Sequence, residues 1–353
     1  MFKVAFRQMR SGVIVATLLL GILVVIALVT GFRMDHFYDQ NIKSCMQKRS
    51  LTCGGFRAHF EAYFSVIRHI FQFISYVVPC VIGFIWGAPL FSTEFEKQTF
   101  KFSLTQSIKR TQWFISKYVV GMTATLAISV IMTTVVTWWF AKLDFIHHDK
   151  YSMLDLRNLS PVGYSIFAFT LGVFLGLLFK KQLSAIFTTL FTFVIVRVVV
   201  ALFILPNLIS PTTTTTAVSQ SSFSGITIQG NGNSQPTPVL TFYGGPIPNA
   251  WVYSSGLQND SGDEAIGSFM RQNCSVLDRS ISRISLGKGN EPPSGPPSGL
   301  NSCIRSISKS YHVVVVYQPE NRYWDFQVLN FLLYLVVSAL LTVGAVFLLR
   351  RAE

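Results

Sequence analysis

The stretch "SGVIVATLLLGILVVIALVTGF", from Ser11 to Phe32, decides the fold because it carries no charged side chain over its whole length. A helix of about 20 apolar residues crosses the hydrocarbon core of a bilayer. The stretch is longer than the apolar core of a signal peptide, and no small-residue cleavage site accompanies it. It therefore predicts a retained transmembrane helix.

Five further apolar runs follow this first one, and together they predict an all-α polytopic membrane protein with six transmembrane helices. Half of the 353 residues are apolar and only 13% are charged, which argues against a soluble enzyme. The net charge of +13 fits basic loops beside spans, and no nucleic-acid-binding module accompanies it. The expected spans are about 11–32, 69–91, 117–140, 162–179, 183–208 and 327–349.

The distribution of Lys and Arg predicts the orientation of the spans, because cytoplasmic loops carry an excess of both. With both termini in the cytoplasm, the inner segments hold twelve Lys or Arg against three carboxylates. The two shorter outer loops also hold nine Lys or Arg, so the counts alone do not decide the orientation. The short turn "FKKQ" between spans 4 and 5 has the highest density of positive charge, which places it in the cytoplasm. We therefore expect a multi-pass protein of the cell membrane with cytoplasmic N- and C-termini.

Residues 209–326 separate the last two spans and predict a small, loop-rich extracellular insert that contains β-strands. The insert begins with "SPTTTTTAVSQSSFSGITIQGNGNSQPTP" and contains "NEPPSGPPSG", compositions that favour flexible linkers. The stretches "VLTFYGGPIPNAWVY" and "YHVVVVYQ" predict short strands. The flanking domains are then residues 1–208, with spans 1 to 5, and residues 327–353, with span 6 and a cytoplasmic tail.

Four of the five cysteines fall in predicted outer segments, where disulfides persist. The expected disulfides join Cys45 with Cys53 and Cys274 with Cys303. A metal site that combines the first pair with His36 and His59 is the alternative, but it lacks a recognised ligand spacing, so we expect no metal. Cys80 lies within the second span and is expected to be a small buried hydrophobe.

Between spans 2 and 3 lies "FSTEFEKQTFKFSLTQSIKRTQWFISK", from Phe91 to Lys117. Its carboxylates come first and its Lys and Arg later, as the dipole of a helix favours. Phe95, Thr99 and Gln106 fall near one face at helical spacing. The pattern predicts an amphipathic cytoplasmic helix at about 92–116, and a solvated loop with an interfacial anchor fits it as well.

These residues carry a family resemblance. "WGAPLFSTEFEKQTFKFSLTQSIKRTQWFISK" resembles the signature of ABC-2 type permeases, the membrane subunits of ATP-binding-cassette exporters. "TWWFAKLD", "FAFTLGVFLGLLFKKQLSAIFTTLFTFVIVR" and "YQPENRYWDFQ" resemble an actinobacterial subset of these permeases. The resemblance covers the chain except the middle of the insert, and no single motif is as specific as a phosphate-binding loop.

The resemblance implies that the segment at 92–116 is a coupling helix resting on a cytoplasmic ATPase, and that "MFKVAFRQMR" is an amphipathic connecting helix. It implies a permease rather than an enzyme, working by alternating access as a homodimer with two ATPase subunits. The chain has no phosphate-binding loop of its own, because the site near Gly287 has Ser282 and Gly289 at required positions. ATP and Mg are therefore expected on the partner. The residues implied in coupling are Glu94, Phe95, Glu96, Thr99, Lys109 and Arg110.

Two polar features of the later spans invite a role in transport. Arg197 lies near mid-depth of span 5, where a charge costs about 2.5 to 3.5 kcal/mol. We expect a buried polar contact there, at the transport route or a dimer seam, because the resembling permeases also carry this Arg; snorkelling or contact with backbone carbonyls is the alternative. Tyr317, Arg322 and Trp324 precede span 6 and predict an outer gate or an interfacial aromatic belt.

A different class of function is a membrane receptor or scaffold that displays the insert and signals through the cytoplasmic loop. The sequence contains no kinase, cyclase or coiled-coil output, which argues against it. Glycines spaced four apart, Gly83 with Gly87 and Gly172 with Gly176, predict close helix packing rather than substrate contacts.

Overall fold

The computed structural model describes residues 2–43, 53–98, 110–147, 150–218, 223–229, 237–242, 247, 249–262 and 300–351. Six helical stretches within it are long and apolar enough to cross a membrane, which confirms the expected number of spans. These stretches are Gly12–Gln40, Ala62–Glu96, Arg110–Asp144, Tyr151–Phe179, Gln182–Asn207 and Glu320–Arg351.

The chain divides into two compact units, Met1–Ile209 with Tyr323–Glu353, and Ser210–Arg322. The α-helices are α1 (Phe2–Phe37), α2 (Cys53–Val81), α3 (Pro89–Glu96), α4 (Arg110–His147), α5 (Ser160–Phe179), α6 (Gln182–Val199), α7 (Leu300–Ile307) and α8 (Tyr323–Arg351). The strands are β1 (Thr212–Ala217), β2 (Phe223–Gln229), β3 (Thr237–Phe242), β4 (Trp251–Asn259) and β5 (Tyr311–Gln318). Short π-helical turns span Tyr38–Lys43, Ile82–Gly87 and Val200–Ile204, and 3₁₀ turns span Tyr151–Leu156, Leu205–Asn207 and Glu320–Arg322.

Two of the expected helices differ from the observed ones. α1 runs without a break from Phe2 to Phe37, so the connecting helix expected at the N-terminus is not a separate element. No Pro or Gly precedes Gly12 to interrupt it. The helix expected over 92–116 is also divided: α3 ends at Glu96, Gln98 takes the left-handed backbone conformation with φ 55°, and residues 110–116 belong to α4.

α5 lies at the centre of the helical unit. In the 18-residue apolar segment of this fourth span 83% of the residues are buried inside the structure, against 11% to 33% in the corresponding segments of the other five spans. It packs against α8, α6, α4 and the π-helical turn Ile82–Gly87, which we call the wide turn. The apolar side chains left exposed on the outer spans are those that a bilayer would cover.

The close approach between α5 and the wide turn depends on glycine. In this turn the backbone N–H of Ala88 bonds to the carbonyl of Gly83, five residues earlier, at 2.9 Å. A Cβ atom added at Gly172 would lie 2.6 Å from Ala88 N, and one added at Gly87 would lie 2.6 Å from Phe169 O. Backbone therefore touches backbone here, which confirms the packing interpretation of these glycines.

The insert contains an antiparallel sheet in the order β1-β5-β4 and a separate antiparallel pair, β2-β3. α7 supplies Cys303, Ile304 and Ile307 to a core that also contains Val313 and Val315 of β5. The strands expected in the later part of the insert are present. The threonine run, expected to be a flexible linker, instead forms β1, because β-branched side chains suit a strand and pair here with the valines of β5.

Candidate functional site

α3 carries the first half of the segment that was expected to bind a partner. Pro89 stands in its first turn, where a missing N–H costs nothing. Ser92 and Thr93 donate their hydroxyls to the carbonyls of Ala88 and Pro89, at 2.8 and 2.7 Å. Both acceptors lie four residues earlier, so these hydroxyls bond to backbone within the first turn of α3.

Glu94 points into the bundle rather than to the surface. Its carboxylate forms an ion pair with Lys117 of α4, and the two side chains are only 13% and 6% exposed. The Lys117 ammonium also lies 5.2 Å from the ring centre of Trp113. Glu94 therefore joins α3 to span 3 within the chain.

Phe95 and Glu96 join α3 to the turn between spans 4 and 5. The Glu96 carboxylate accepts a 2.7 Å hydrogen bond from the backbone N–H of Gln182, the first residue of α6. It thus satisfies one of the free N–H groups at the start of that helix. The Phe95 ring lies 5.9 Å from the Lys180 ammonium and meets Trp113 edge-on at 6.4 Å.

We call this set of contacts the α3 latch; it consists of Glu94 with Lys117, Phe95 with Trp113 and Lys180, and Glu96 with Gln182. The surface next to the α3 latch is basic, because it exposes three lysines and one carboxylate: Lys97, Lys180, Lys181 and Glu96. Arg110 begins α4 and is half-buried. Thr99 and Lys109 lie outside the described residues, and their roles stay predictions.

Arg197 has a partner that lies outside its own span. Its guanidinium lies 3.9 Å from the carboxylate of Asp155, in the 3₁₀ turn before α5, and 3.7 Å from the ring centre of Tyr164. A second ring, Tyr76 of α2, lies at 5.2 Å. Nη1 and Nη2 are buried and have no hydrogen-bond partner in the described part of the chain.

Asp155 belongs to a longer chain of polar contacts that was not predicted. Tyr164 donates its hydroxyl to Asp155 at 2.8 Å and accepts from the amide of Asn330 at 2.7 Å. Asn330 also donates to Ser160, which in turn donates to Gln327, both at 3.0 Å.

The chain continues from Gln327 to the end of span 3. The Gln327 amide and the Arg157 Nε both donate to the Tyr323 hydroxyl at 3.1 Å. Arg157 then pairs with Asp144 at 2.7 Å. We call the whole set, from Arg197 to Asp144, the polar network. It joins spans 3, 4, 5 and 6, and the spacing of Tyr323, Gln327 and Asn330 on one helical face was its signal in the sequence.

The residues expected at an outer gate occupy different surroundings. Tyr317 packs against the core of the insert, and Arg322 donates to Ser210 O at 2.8 Å and to Gln318 Oε1 at 3.0 Å. Trp324, on α8, is 57% exposed. Its neighbour Tyr323 is the buried member of this segment.

The expected disulfides stay predictions. Cys45 and Cys274 lie outside the described residues, and the side chain of Cys53 is not described. Cys303 is buried in the core of the insert. Cys80 is a free thiol packed at the edge of an apolar cluster, and it is half-buried rather than fully buried as expected. Within the described ranges no group of three His, Cys, Asp or Glu side chains is placed to hold a metal.

Six apolar helices and a central buried span define a multi-pass membrane protein. Residues 17–204 match the family model described as "ABC-2 membrane transporter related". This match covers more than half of the chain, so the protein belongs to that family. No curated protein and no solved structure matches the chain. The narrower likeness to actinobacterial members stays a prediction.

Proposed function

We propose that this protein is the permease subunit of an ATP-binding-cassette exporter. Substrate would cross by alternating access, driven by ATP hydrolysis on a separate cytoplasmic ATPase that holds ATP and Mg. Two copies of the chain would form the pathway and bind two ATPase subunits. Family membership supports the transport role, because proteins of this family generally pair with such an ATPase.

The α3 latch is the observation that carries the proposed coupling. A short helix at a bundle end is joined to span 3 through Glu94 and to the start of span 5 through Glu96. A displacement of α3 would therefore act on both spans. Coupling requires a physical element whose state both sites bias, and α3 has the connections of such an element.

The exposed surface beside the latch is the proposed contact for the ATPase. Lys97, Lys180 and Lys181 outnumber the single exposed carboxylate of Glu96, so an acidic partner surface would be complementary. The same positive charges support the proposal that this end of the bundle faces the cytoplasm. Thr99, Lys109 and Arg110 are proposed as further coupling residues on the same segment.

The experiment is co-expression of the full chain with the ATP-binding-cassette ATPases of the same genome, followed by purification and measurement of ATP hydrolysis. We expect one ATPase to co-purify and its hydrolysis rate to differ from that of the ATPase alone. Lys181→Glu should reduce co-purification by like-charge repulsion. Glu94→Gln should leave co-purification intact but remove the effect of the permease on hydrolysis.

Two controls separate coupling from folding. The exchanged pair Glu94→Lys with Lys117→Glu should recover part of the lost effect, since it restores an ion pair in the same place. Arg33→Gln changes an exposed cation at the C-terminal end of α1, on the other side of the bundle, and should change nothing. If no ATPase binds the unaltered chain, the permease proposal fails and the receptor interpretation takes its place.

A further inference from the structure

A cavity of about 320 Å³ lies at the end of the bundle opposite α3, between α2, α4 and the 3₁₀ turn Tyr151–Leu156. Its polar lining includes Arg68 and Gln72, one helical turn apart on α2. Phe140 and Leu143 of α4 supply an apolar wall. The cavity belongs to neither the α3 latch nor the predicted gate.

Arg68 brings an uncompensated charge to this cavity. Its Nε is buried and has no hydrogen-bond partner, and it forms no ion pair within the described ranges. Asp144, a carboxylate in the described lining, is already paired with Arg157 at 2.7 Å. Arg157 is outside the described lining, but its ion pair with Asp144 leaves Arg68 without a described carboxylate of its own.

Gln72 adds a donor that is poorly used. Its amide N–H donates to the sulfur of Met153 at 3.3 Å, and a thioether is a weak acceptor. An oxyanion within reach of both side chains would accept from Arg68 and Gln72 together. Arg binds carboxylate and phosphate groups through parallel N–H donors, which suits this arrangement.

The position of the cavity along the spans indicates how such a group would arrive. Arg68 and Gln72 follow Ala62, where span 2 begins, and Asp144 is the last residue of span 3. The stretch Ala62–Glu96 has 35 residues, more than the about 20 that cross the hydrocarbon core, so its first turns would lie near the lipid headgroups. An apolar wall beside a cation matches a molecule whose anionic head sits on Arg68 and whose apolar part lies along α4.

We propose that this cavity binds the phosphate headgroup of an anionic amphipathic molecule, with Arg68 as the principal contact and Gln72 as the second donor. The proposal does not depend on the proposed permease function, because it concerns a different end of the bundle. Asp144 links the cavity to the polar network, so an occupied site would lie against the contacts that join spans 3 to 6.

The test uses the full chain in detergent and in lipid nanodiscs, with fluorescent phosphatidylglycerol as the probe and phosphatidylcholine as the neutral comparison. We expect saturable binding of phosphatidylglycerol by the native chain. Arg68→Gln should weaken it about tenfold, as the loss of a charge-assisted hydrogen bond implies. Gln72→Leu should weaken it less, and Arg68→Lys should fall between Arg68→Gln and the native chain.

Arg33→Gln is the matched control, since Arg33 is an exposed Arg at the same end of the bundle. Competition by inorganic phosphate would show that the site recognises the phosphate group itself. Binding of phosphatidylglycerol without such competition would show that the rest of the lipid contributes to binding. Both outcomes support the site. Equal binding by Arg68→Gln and the native chain, or equal losses in Arg68→Gln and Arg33→Gln, would overturn it. If Arg68→Gln does not fold, Gln72→Leu provides the test instead. Its elution volume and thermal unfolding should match those of the native chain while its binding of phosphatidylglycerol is weaker.

Discussion

Arg197 shows how one buried charge is accommodated within an apolar span. The guanidinium stacks on Tyr164 at 3.7 Å and faces the Asp155 carboxylate at 3.9 Å, and the two charged side chains are 11% and 23% exposed. Stacking on a desolvated ring contributes about 2 kcal/mol. The partner comes from the 3₁₀ turn at the start of the fourth span, and its side chain stays 23% exposed.

Replacing Arg197 should therefore lower the stability of the helical unit. We expect Arg197→Gln to reduce the free energy of unfolding by about 2 kcal/mol. Arg197→Lys should be intermediate, because an ammonium keeps the charge but not the planar stacking. The measurement is thermal unfolding in detergent, combined with Asp155→Asn in a double-mutant cycle. Strict additivity of the two substitutions would show that the pair contributes nothing.

At the scale of elements, the contact between α5 and the wide turn Ile82–Gly87 organises the bundle. The glycines at this contact leave room for backbone atoms only, and a side chain there would meet backbone that cannot rotate away. Gly21 of α1 has the opposite surroundings, with nothing within 4 Å of an added Cβ. The two positions thus form a natural pair for comparison.

Gly172→Ala should destabilise the protein, whereas Gly21→Ala should not. A methyl group at Gly172 would lie 2.6 Å from Ala88 N, and overpacking of this kind costs about 1 to 3 kcal/mol. At Gly21 the same change removes only the low helix propensity of glycine, which is worth about 1 kcal/mol. Thermal unfolding of the two variants checks this, and an equal response of both would contradict the contact.

Long apolar helices could be predicted from the sequence, but contacts between residues far apart in the sequence could not. The six spans followed from apolar runs alone, because a bilayer fixes the length of a helix. The ion pair of Glu94 with Lys117 and the approach of Asp155 to Arg197 join residues that are far apart in sequence. The strand β1 was missed because a run of threonines resembles a linker until the valines of β5 pair with it.

For the whole molecule, the unit Ser210–Arg322 interrupts a helical unit between its fifth and sixth spans. The polar network holds that sixth span to spans 3, 4 and 5, although the insert separates them in sequence. Side-chain contacts within the helical unit thus hold the sixth span in place without relying on the insert. The proposed orientation places the insert outside the cell and the α3 latch inside.

Labelling of single added cysteines in whole cells tests this orientation. Ser261→Cys lies in an exposed turn of the insert, and Lys181→Cys lies in the exposed turn between spans 4 and 5. A membrane-impermeant maleimide should label Ser261→Cys in intact cells and Lys181→Cys only after permeabilisation, with the native chain as background. The reverse pattern would place the latch outside and end the ATPase proposal.

The wide turn Ile82–Gly87 has a further consequence, which concerns rotational phase. One residue more than an α-helical turn requires rotates every later side chain by about 100° around the helix axis. That rotation sets which way Glu94 and Glu96 project from α3 and so brings both carboxylates to their partners. A one-residue deletion in the turn would leave hydropathy and charge almost unchanged, yet it would aim α3 in another direction. A change of one residue in the length of this turn should therefore disturb the α3 latch more than a conservative substitution within it.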